Sequence, residues 1–181
     1  MASIITATTS SGLTQSADLS GVLQLASGTG NLVTVPSVTG TAMVSGNMPA
    51  FSAYANTTTA ISAGTRTKIT FATEYFDTNS NFASSRFTPT VAGYYQINLS
   101  FQEANGTSTI LQAELYKNGA TYATGGYTGT AATFYMAAVS VLVYMNGSTD
   151  YLEGYCYSSA STSVGGGSNG NWFTGSLVRA A

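Results

Sequence analysis

The sequence predicts an all-β protein, an antiparallel sandwich or jelly roll. Three observations favour this fold class: short stretches of alternating apolar and polar residues, frequent turn residues between them, and no stretch with a helical period. Residues 95–101 (YQINLSF) alternate without a break, as a strand does when one of its faces is buried. Sheets of such strands fold as sandwiches because each sheet buries its apolar face against another layer.

The first predicted strands precede this alternating stretch. Residues 49–53 (PAFSA) and 66–71 (RTKITF) are predicted to be strands, and residues 56–64 between them are predicted to be a polar loop rich in threonine. Pro89 and Gly93 then bracket a turn that leads into residues 95–101.

Turn residues also separate the later strands. The Asn-Gly pairs at residues 118–119 and 146–147 predict tight turns, because Asn and Gly tolerate positive φ angles. A glycine-rich loop is predicted at residues 165–170. The later predicted strands are residues 110–116, 134–145, 151–157 and 172–178. Phe51 and Phe173 lie in the first and last strands, so the two ends of this region are expected to share one sheet.

Charge is scarce in this chain. Apolar residues make up 44% and charged residues only 7%, against roughly a quarter in ordinary soluble domains. The sequence fits either a β-protein with a neutral surface or a chain that lives in an assembly, and the second interpretation is favoured. The five Lys and Arg residues are scattered, so no basic patch for nucleic acid is predicted.

Residues 1–48 differ from residues 49–181 and are predicted to form a separate segment. They contain no aromatic residue, Lys or Arg, and Asp18 is their only charge. Their short apolar clusters predict strands that need partners, either within their own domain or from other copies. The alternative is a disordered tail.

The chain shows no sign of export or membrane insertion. Its N-terminus lacks the basic and apolar regions of a signal peptide, and no window approaches the roughly 20 apolar residues of a membrane span. Cys156 is the only cysteine, which excludes an intrachain disulfide. Synthesis in a reducing cytoplasm is therefore expected.

One ordered set of residues extends from residue 71 to residue 177. It begins with Phe71, Asp77, Phe82 and Phe87, continues with residues 93–97 (GYYQI) and the hairpin at 117–119, and ends with the closing strand at 173–177 (FTGSL). Together with residues 49–53, this set resembles the globular head of complement component 1q, whose jelly roll is shared with tumour necrosis factor. The interval from Phe82 to Phe87 is shorter than in that family, and Ile97 and Leu99 replace aromatic residues.

The resemblance implies a tight homotrimer about a threefold axis. The 12 Tyr and 8 Phe residues agree with a trimer, since tyrosines beyond those needed in the core are common at protein interfaces. The residues expected to face the axis are Tyr95, Tyr135, Tyr151 and Phe173. The alternative for each of them is an ordinary place in the core.

The N-terminal segment has a resemblance of its own. Residues 15–28 (QSADLSGVLQLASG) resemble segments common in fibre-like virion proteins of tailed bacteriophages. The two resemblances together imply a phage structural protein, made in the host bacterial cytoplasm and displayed on the virion surface as a capsid decoration, head fibre or tail fibre. Residues 1–48 would bind other virion proteins, and the head would contact a host surface glycan or protein. The alternative is a free lectin-like module that binds carbohydrate or protein.

No catalytic residue, cofactor or metal is predicted, and an enzyme is not expected. The chain has no histidine, which removes His-based catalysis and imidazole metal ligands. Cys156 is predicted to be a buried small apolar residue. Asp77, Asn79 and Asn81 form the best candidate for calcium, but a turn with side-chain hydrogen bonds is favoured. Candidate ligand contacts are the aromatic residues Tyr122, Tyr127 and Trp172.

Overall fold

The computed structural model describes residues 23–26, 32–35, 46, 48–104, 108–128 and 135–181. Contacts divide the chain into two units, residues 1–42 and residues 43–181. In the first unit, strand β1 (Leu23–Ala26) pairs antiparallel with strand β2 (Leu32–Val35).

The second unit is built entirely of β-strands in its described part. The strands are β3 (Ala50–Tyr54), β4 (Thr58–Ile61), β5 (Arg66–Lys68), β6 (Thr73–Asp77), β7 (Phe82–Ala83), β8 (Arg86–Phe87), β9 (Gly93–Gln102), β10 (Ile110–Lys117), β11 (Ala120–Thr128), β12 (Met136–Met145), β13 (Leu152–Ser158), β14 (Thr162–Gly165) and β15 (Trp172–Ala180). A five-stranded sheet has the order β12-β9-β15-β3-β6, and a six-stranded sheet has the order β11-β10-β13-β8-β7 with β5 also paired to β13. Strand β4 pairs separately with β14.

This architecture confirms the predicted antiparallel jelly-roll sandwich. Strand β3 lies beside β15, so Phe51 and Phe173 share one sheet as expected. Asn118 and Gly119 have φ angles of 54° and 81° between β10 and β11, as a tight Asn-Gly hairpin requires. The prediction of a loop at residues 56–64 is wrong in its middle, because β4 forms there by pairing with the distant β14.

The core lies between the two large sheets, and a cluster of phenylalanine rings lies within it. The ring of Phe51 stacks on Phe87 with centroids 4.4 Å apart and on Phe82 at 4.8 Å, and it meets the edge of Phe173 at 5.0 Å. Phe51 and Phe173 belong to the five-stranded sheet, whereas Phe82 and Phe87 belong to the six-stranded sheet. The cluster therefore joins the two layers.

Glycine at position 175 makes room for this cluster. A Cβ atom there would lie 2.6 Å from both Phe51 Cε1 and Ile97 Cδ1, which no relaxed packing permits. Gly175 pairs with Phe51 on one side and Ile97 on the other, so its missing side chain lets both neighbours pack over β15.

Ion pairs lie on the outer face of the six-stranded sheet. Lys68 Nζ donates to Glu153 Oε1 at 2.7 Å, and Arg86 Nε donates to the same oxygen at 2.9 Å. Burial alone would raise the pKa of the Glu153 carboxyl, but the hydrogen bonds and charges of Lys68 and Arg86 outweigh it and lower that pKa below its ordinary 4.5. Arg66 forms a second pair with Glu114 at 2.9 Å.

We expect Phe51→Ala to reduce the free energy of unfolding by about 3–5 kcal/mol, because it empties the centre of the ring cluster. Denaturant unfolding followed by fluorescence measures the change. Tyr122→Ala removes an exposed ring from β11 and should cost under about 1 kcal/mol. Equal losses in the two variants would contradict the central place of Phe51.

We expect acid to destabilise the fold through Glu153. Because its folded-state pKa is lowered, the contribution of its carboxylate is fully present above about pH 4.5 and is lost as the pH falls through the folded pKa. Denaturant unfolding at neutral and acidic pH measures the loss. In Glu153→Gln the fall in stability across the acidic range should be smaller than in the wild type, whereas an unchanged fall would show that Glu153 does not contribute.

Candidate intersubunit face on the five-stranded sheet

The outer face of the five-stranded sheet carries most of the exposed large apolar side chains of the described head. Along β12, Ala137, Val139 and Val143 are buried, while Leu142 and Tyr144 on the opposite face are exposed. Strand β9 follows the same period and pairs residue for residue with β12. The outward side chains of both strands therefore form one continuous surface.

This surface combines exposed aromatic and aliphatic side chains with a hydrogen-bonded polar group formed by Gln96, Asn98 and Ser140. Tyr94 and Tyr144 are cross-strand partners, with ring centroids 5.5 Å apart and side chains a little under half exposed. Among the described residues, every exposed large apolar side chain except Met48 and Tyr122 lies on this sheet. They are Tyr75, Phe76, Tyr94, Met136, Leu142, Tyr144 and Val178.

The far edge of the same sheet carries more aromatic rings. Trp172 pairs with Tyr54 across β15 and β3, and the Tyr54 ring stacks on Tyr75 at 4.9 Å. A shallow groove of about 220 Å³ crosses the sheet between Phe76 and Asn98. Rings, hydroxyls and amides line this edge, which is a composition typical of protein interfaces.

Charge is almost absent from these strands. Strands β12, β9 and β3 contain no charged residue at all, and β15 contains only Arg179 near its end. Glu74 and Asp77 lie on the edge strand β6. The six-stranded sheet and its flanks, in contrast, carry all four ion pairs of the described residues. The two outer faces of the sandwich thus differ sharply in polarity.

Three of the residues predicted to face a threefold axis lie in the subunit's own core. Tyr95 and Phe173 have no exposed surface, and Tyr135 is only 4% exposed. Tyr95 packs edge-on against Phe87, its hydroxyl donates to the Val91 carbonyl at 2.7 Å, and burial raises its pKa to about 12. These three side chains are therefore buried within the single subunit, as the alternative of an ordinary place in the core expects, and their place at a threefold axis stays a prediction.

Tyr151, the fourth predicted axis residue, lies away from the five-stranded sheet. It directly precedes β13 of the six-stranded sheet, and the Arg86 guanidinium sits 3.9 Å above its ring. Tyr151 therefore belongs to the charged face of the sandwich rather than to the apolar one.

The alternation within β9 could have identified the outward residues. Tyr95 is in phase with Ile97 and Leu99, all of which are buried, whereas Tyr94 is in phase with Gln96. The same rule separates Phe173 from Trp172 on β15. Tyr94 and Trp172 are therefore the members of these adjacent pairs that lie on the outer face.

Two of the three predicted ligand contacts, Tyr122 and Trp172, lie on different sheets. Tyr122 is an exposed residue of β11 in the six-stranded sheet, and Trp172 is a half-buried residue of β15 in the five-stranded sheet. The backbone of Tyr127 lies in β11, but its side chain lies outside the described residues.

The acidic turn after β6 is held by side-chain hydrogen bonds. Asp77 Oδ2 accepts from the Phe82 backbone N–H at 2.7 Å, and Asn81 Nδ2 donates to the Asn79 carbonyl at 3.0 Å. The favoured interpretation of this motif as a turn is confirmed. Within the described residues, no three carboxylate or cysteine side chains come together as a metal site would require.

Cys156 lies in the core, as predicted. Its side chain is fully buried, and burial, together with the charges of Glu103 and Glu114, raises its pKa to about 12. A thiol with so high a pKa stays protonated at neutral pH and is a poor nucleophile.

Among the described residues, no helix is long and apolar enough to cross a membrane.

No protein-family model matches the sequence, and no curated protein matches it significantly. Solved structures do share its fold. The globular domain of zebrafish complement 1qA aligns with a TM-score of 0.58 at 15% identity, over 74% of this chain and 98% of that one. Murine APRIL aligns with a TM-score of 0.59 at 6% identity, over 72% and 99%. The PRD1 vertex protein P5 aligns with a TM-score of 0.51 at 12% identity, over 74% and 98%. At these identities the likeness shows the fold alone, and that fold is the complement 1q and tumour necrosis factor jelly roll.

Proposed function

We propose that this protein is a structural protein of a bacteriophage virion that forms a homotrimeric surface spike. The head would assemble through the outer face of its five-stranded sheet, and residues 1–48 would bind other virion proteins. The observation that carries the proposal is the uncharged, apolar outer face of that sheet, on a fold whose complement 1q and tumour necrosis factor neighbours are trimeric.

The free energies of burial and association favour an interface that buries the whole outer face of the five-stranded sheet rather than one part of it. Completing the burial of a half-exposed large apolar side chain contributes about 1 kcal/mol. Association costs about 4–15 kcal/mol in lost freedom, so a few such side chains are not enough. A trimer that buries the aromatic and aliphatic residues of three faces together meets this requirement.

A trimer that buries the five-stranded sheet also leaves the charged six-stranded sheet exposed to solvent. If the five-stranded sheet faces the axis, the ion pairs of Arg66, Lys68 and Arg86 remain on the outside of the trimer, where water solvates them. Burying that sheet instead would desolvate several partly exposed cations. Charge placement and apolar burial therefore favour the same side of the subunit.

The virion assignment rests on separate support. The fold is shared with a phage vertex protein, and residues 1–42 form a contact unit apart from the head. Residues 15–28 also resemble segments of fibre-like virion proteins. A segment with its own contacts ahead of a trimeric head is the arrangement expected of a spike that is held at one end.

We expect the purified protein to sediment as a trimer that persists at micromolar concentration. Leu142→Glu, which places a charge on this face at strand β12, should convert it to monomers, because each buried carboxylate would lack a partner. Sedimentation velocity measures the change, and circular dichroism shows whether the strands persist.

Thr121→Glu is the control, since Thr121 is an exposed residue of β11 on the other sheet, where it pairs with Tyr116. It should remain trimeric. A wild-type monomer at micromolar concentration, or a trimer that tolerates Leu142→Glu, would show that this face is not the interface.

Deletion of residues 1–48 should leave a folded trimeric head that no longer joins virus particles, since residues 49–181 make up nearly all of the second contact unit, residues 43–181, and include every strand of its two large sheets. Electron microscopy of particles and sedimentation of the free head measure the two outcomes. Continued incorporation of the truncated protein would mean that residues 1–48 are not the attachment segment.

A further inference from the structure

A pocket of about 510 Å³ opens on the outer side of the six-stranded sheet, away from the apolar face. Two cations lie in it, Lys68 from β5 and Arg86 from β8. All its other lining residues are small, and most carry a hydroxyl or an amide, such as Ser80, Asn81 and Thr88. None of the lining residues is acidic. The volume is within the range of small-ligand sites.

The charges of this pocket do not cancel. Lys68 and Arg86 share one carboxylate oxygen of Glu153, so the cluster carries one excess positive charge. Glu153 is 4% exposed, whereas the side chains of Lys68 and Arg86 are 33% and 44% exposed. The carboxylate therefore lies beneath the two cations and orients them, while they remain open to a second anion.

The walls of the pocket are braced. Asn81 is buried, and its side chain donates to the Asn79 carbonyl at 3.0 Å while its own carbonyl accepts from the Thr88 N–H at 2.7 Å. Beneath Arg86, the Tyr151 ring lies 3.9 Å from the guanidinium carbon. These contacts fix the positions of the polar groups before any ligand arrives, which reduces the entropic cost of binding.

Backbone strain is concentrated at the same place. Among the described residues, Ser80, Ser84, Ser85 and Asn118 are the only residues other than glycine with positive φ, and the first two line the pocket. Ser84 and Ser85, with φ of 52° and 57°, form the two-residue turn between β7 and β8. Asn-Gly suits such a turn far better than Ser-Ser. This turn aims the Ser84 carbonyl at Lys68 Nζ, 3.1 Å away, and thereby helps to position the ammonium group.

We propose that this pocket binds the anionic group of an acidic saccharide. Arg86 and Lys68 would bind a carboxylate or a phosphodiester, each of which carries the single negative charge that the cluster lacks. The hydroxyl groups of Ser84 and Thr88 would bind sugar hydroxyls. The role of this binding as contact with a host surface rests on the proposed function, but the binding itself does not.

The test uses the full-length protein and titration calorimetry at low salt with four probes. These are an oligogalacturonate, a phosphodiester-linked oligosaccharide, a neutral oligosaccharide of similar length and an oligoglutamate peptide. We expect at least one of the two acidic saccharides to bind at least about tenfold more tightly than the neutral one. Which of the two binds identifies the source of the negative charge.

Arg86→Gln should weaken this binding at least about tenfold, because it removes the excess charge but leaves Lys68 paired with Glu153. Arg66→Gln is the matched control, since Arg66 makes a similar ion pair with Glu114 and lies 5.2 Å above the Tyr157 ring but outside this pocket. Ser84→Gly relieves the positive-φ strain, keeps the fold and should weaken binding severalfold through the lost hydroxyl.

Three outcomes would overturn the inference: equal binding of neutral and acidic saccharides, preference for the oligoglutamate, or equal losses in Arg86→Gln and Arg66→Gln. Sedimentation of the same samples separates this inference from the proposed function. A trimer that binds no acidic saccharide refutes only the pocket, whereas a monomer that binds one refutes only the trimer.

Discussion

The two-residue period of β9 determines both surfaces on which this head depends. β9 lies inside the five-stranded sheet, with β12 on one side and β15 on the other, so its phase sets the phase of its neighbours. Tyr95 and Ile97 point into the phenylalanine core, while Tyr94 points to the outer face. A slip of one residue would expose the core residues and bury Gln96 and Asn98. The packing of the core therefore determines which residues of β9 and its neighbouring strands form the candidate interface.

The few charged residues are distributed unequally between the two sheets. Only 7% of the residues are charged, yet four of the five cations lie on or beside the six-stranded sheet. Solubility of a subunit with so few charges depends on which face they occupy. Concentrating them on one sheet keeps that face hydrated and leaves the other free to be buried against copies of itself. The acidic-saccharide pocket lies on the hydrated face, where a trimer would present it three times and gain avidity.

Much of the fold could be predicted because its signals are local. Alternation in β9 and β12 and the Asn-Gly turn at residues 118–119 are each readable within about ten residues, whereas residues 146–150 form a longer loop between two sheets instead of the predicted tight turn. The pairing of β4 with β14 could not be read, because neither strand alternates clearly. The cation pocket could not be predicted from the sequence either, since Glu153 contacts Arg86 and Lys68, which lie 67 and 85 residues away along the chain. Such convergence depends on sheet order rather than on local pattern.

The strained Ser84–Ser85 turn links the core to the pocket. Phe82 and Phe87 both pack on the Phe51 ring and pair with each other, and Ala83 pairs with Arg86, so only two residues remain to reverse the chain between β7 and β8. Glycine would relax this turn, but Ser85 Oγ accepts a hydrogen bond from the buried Phe71 N–H at 2.8 Å, which glycine cannot replace. The core thus imposes the tight hairpin, and the hairpin in turn places Arg86 and the Ser84 carbonyl beside Lys68. The position of the cations is therefore a consequence of how the phenylalanines pack.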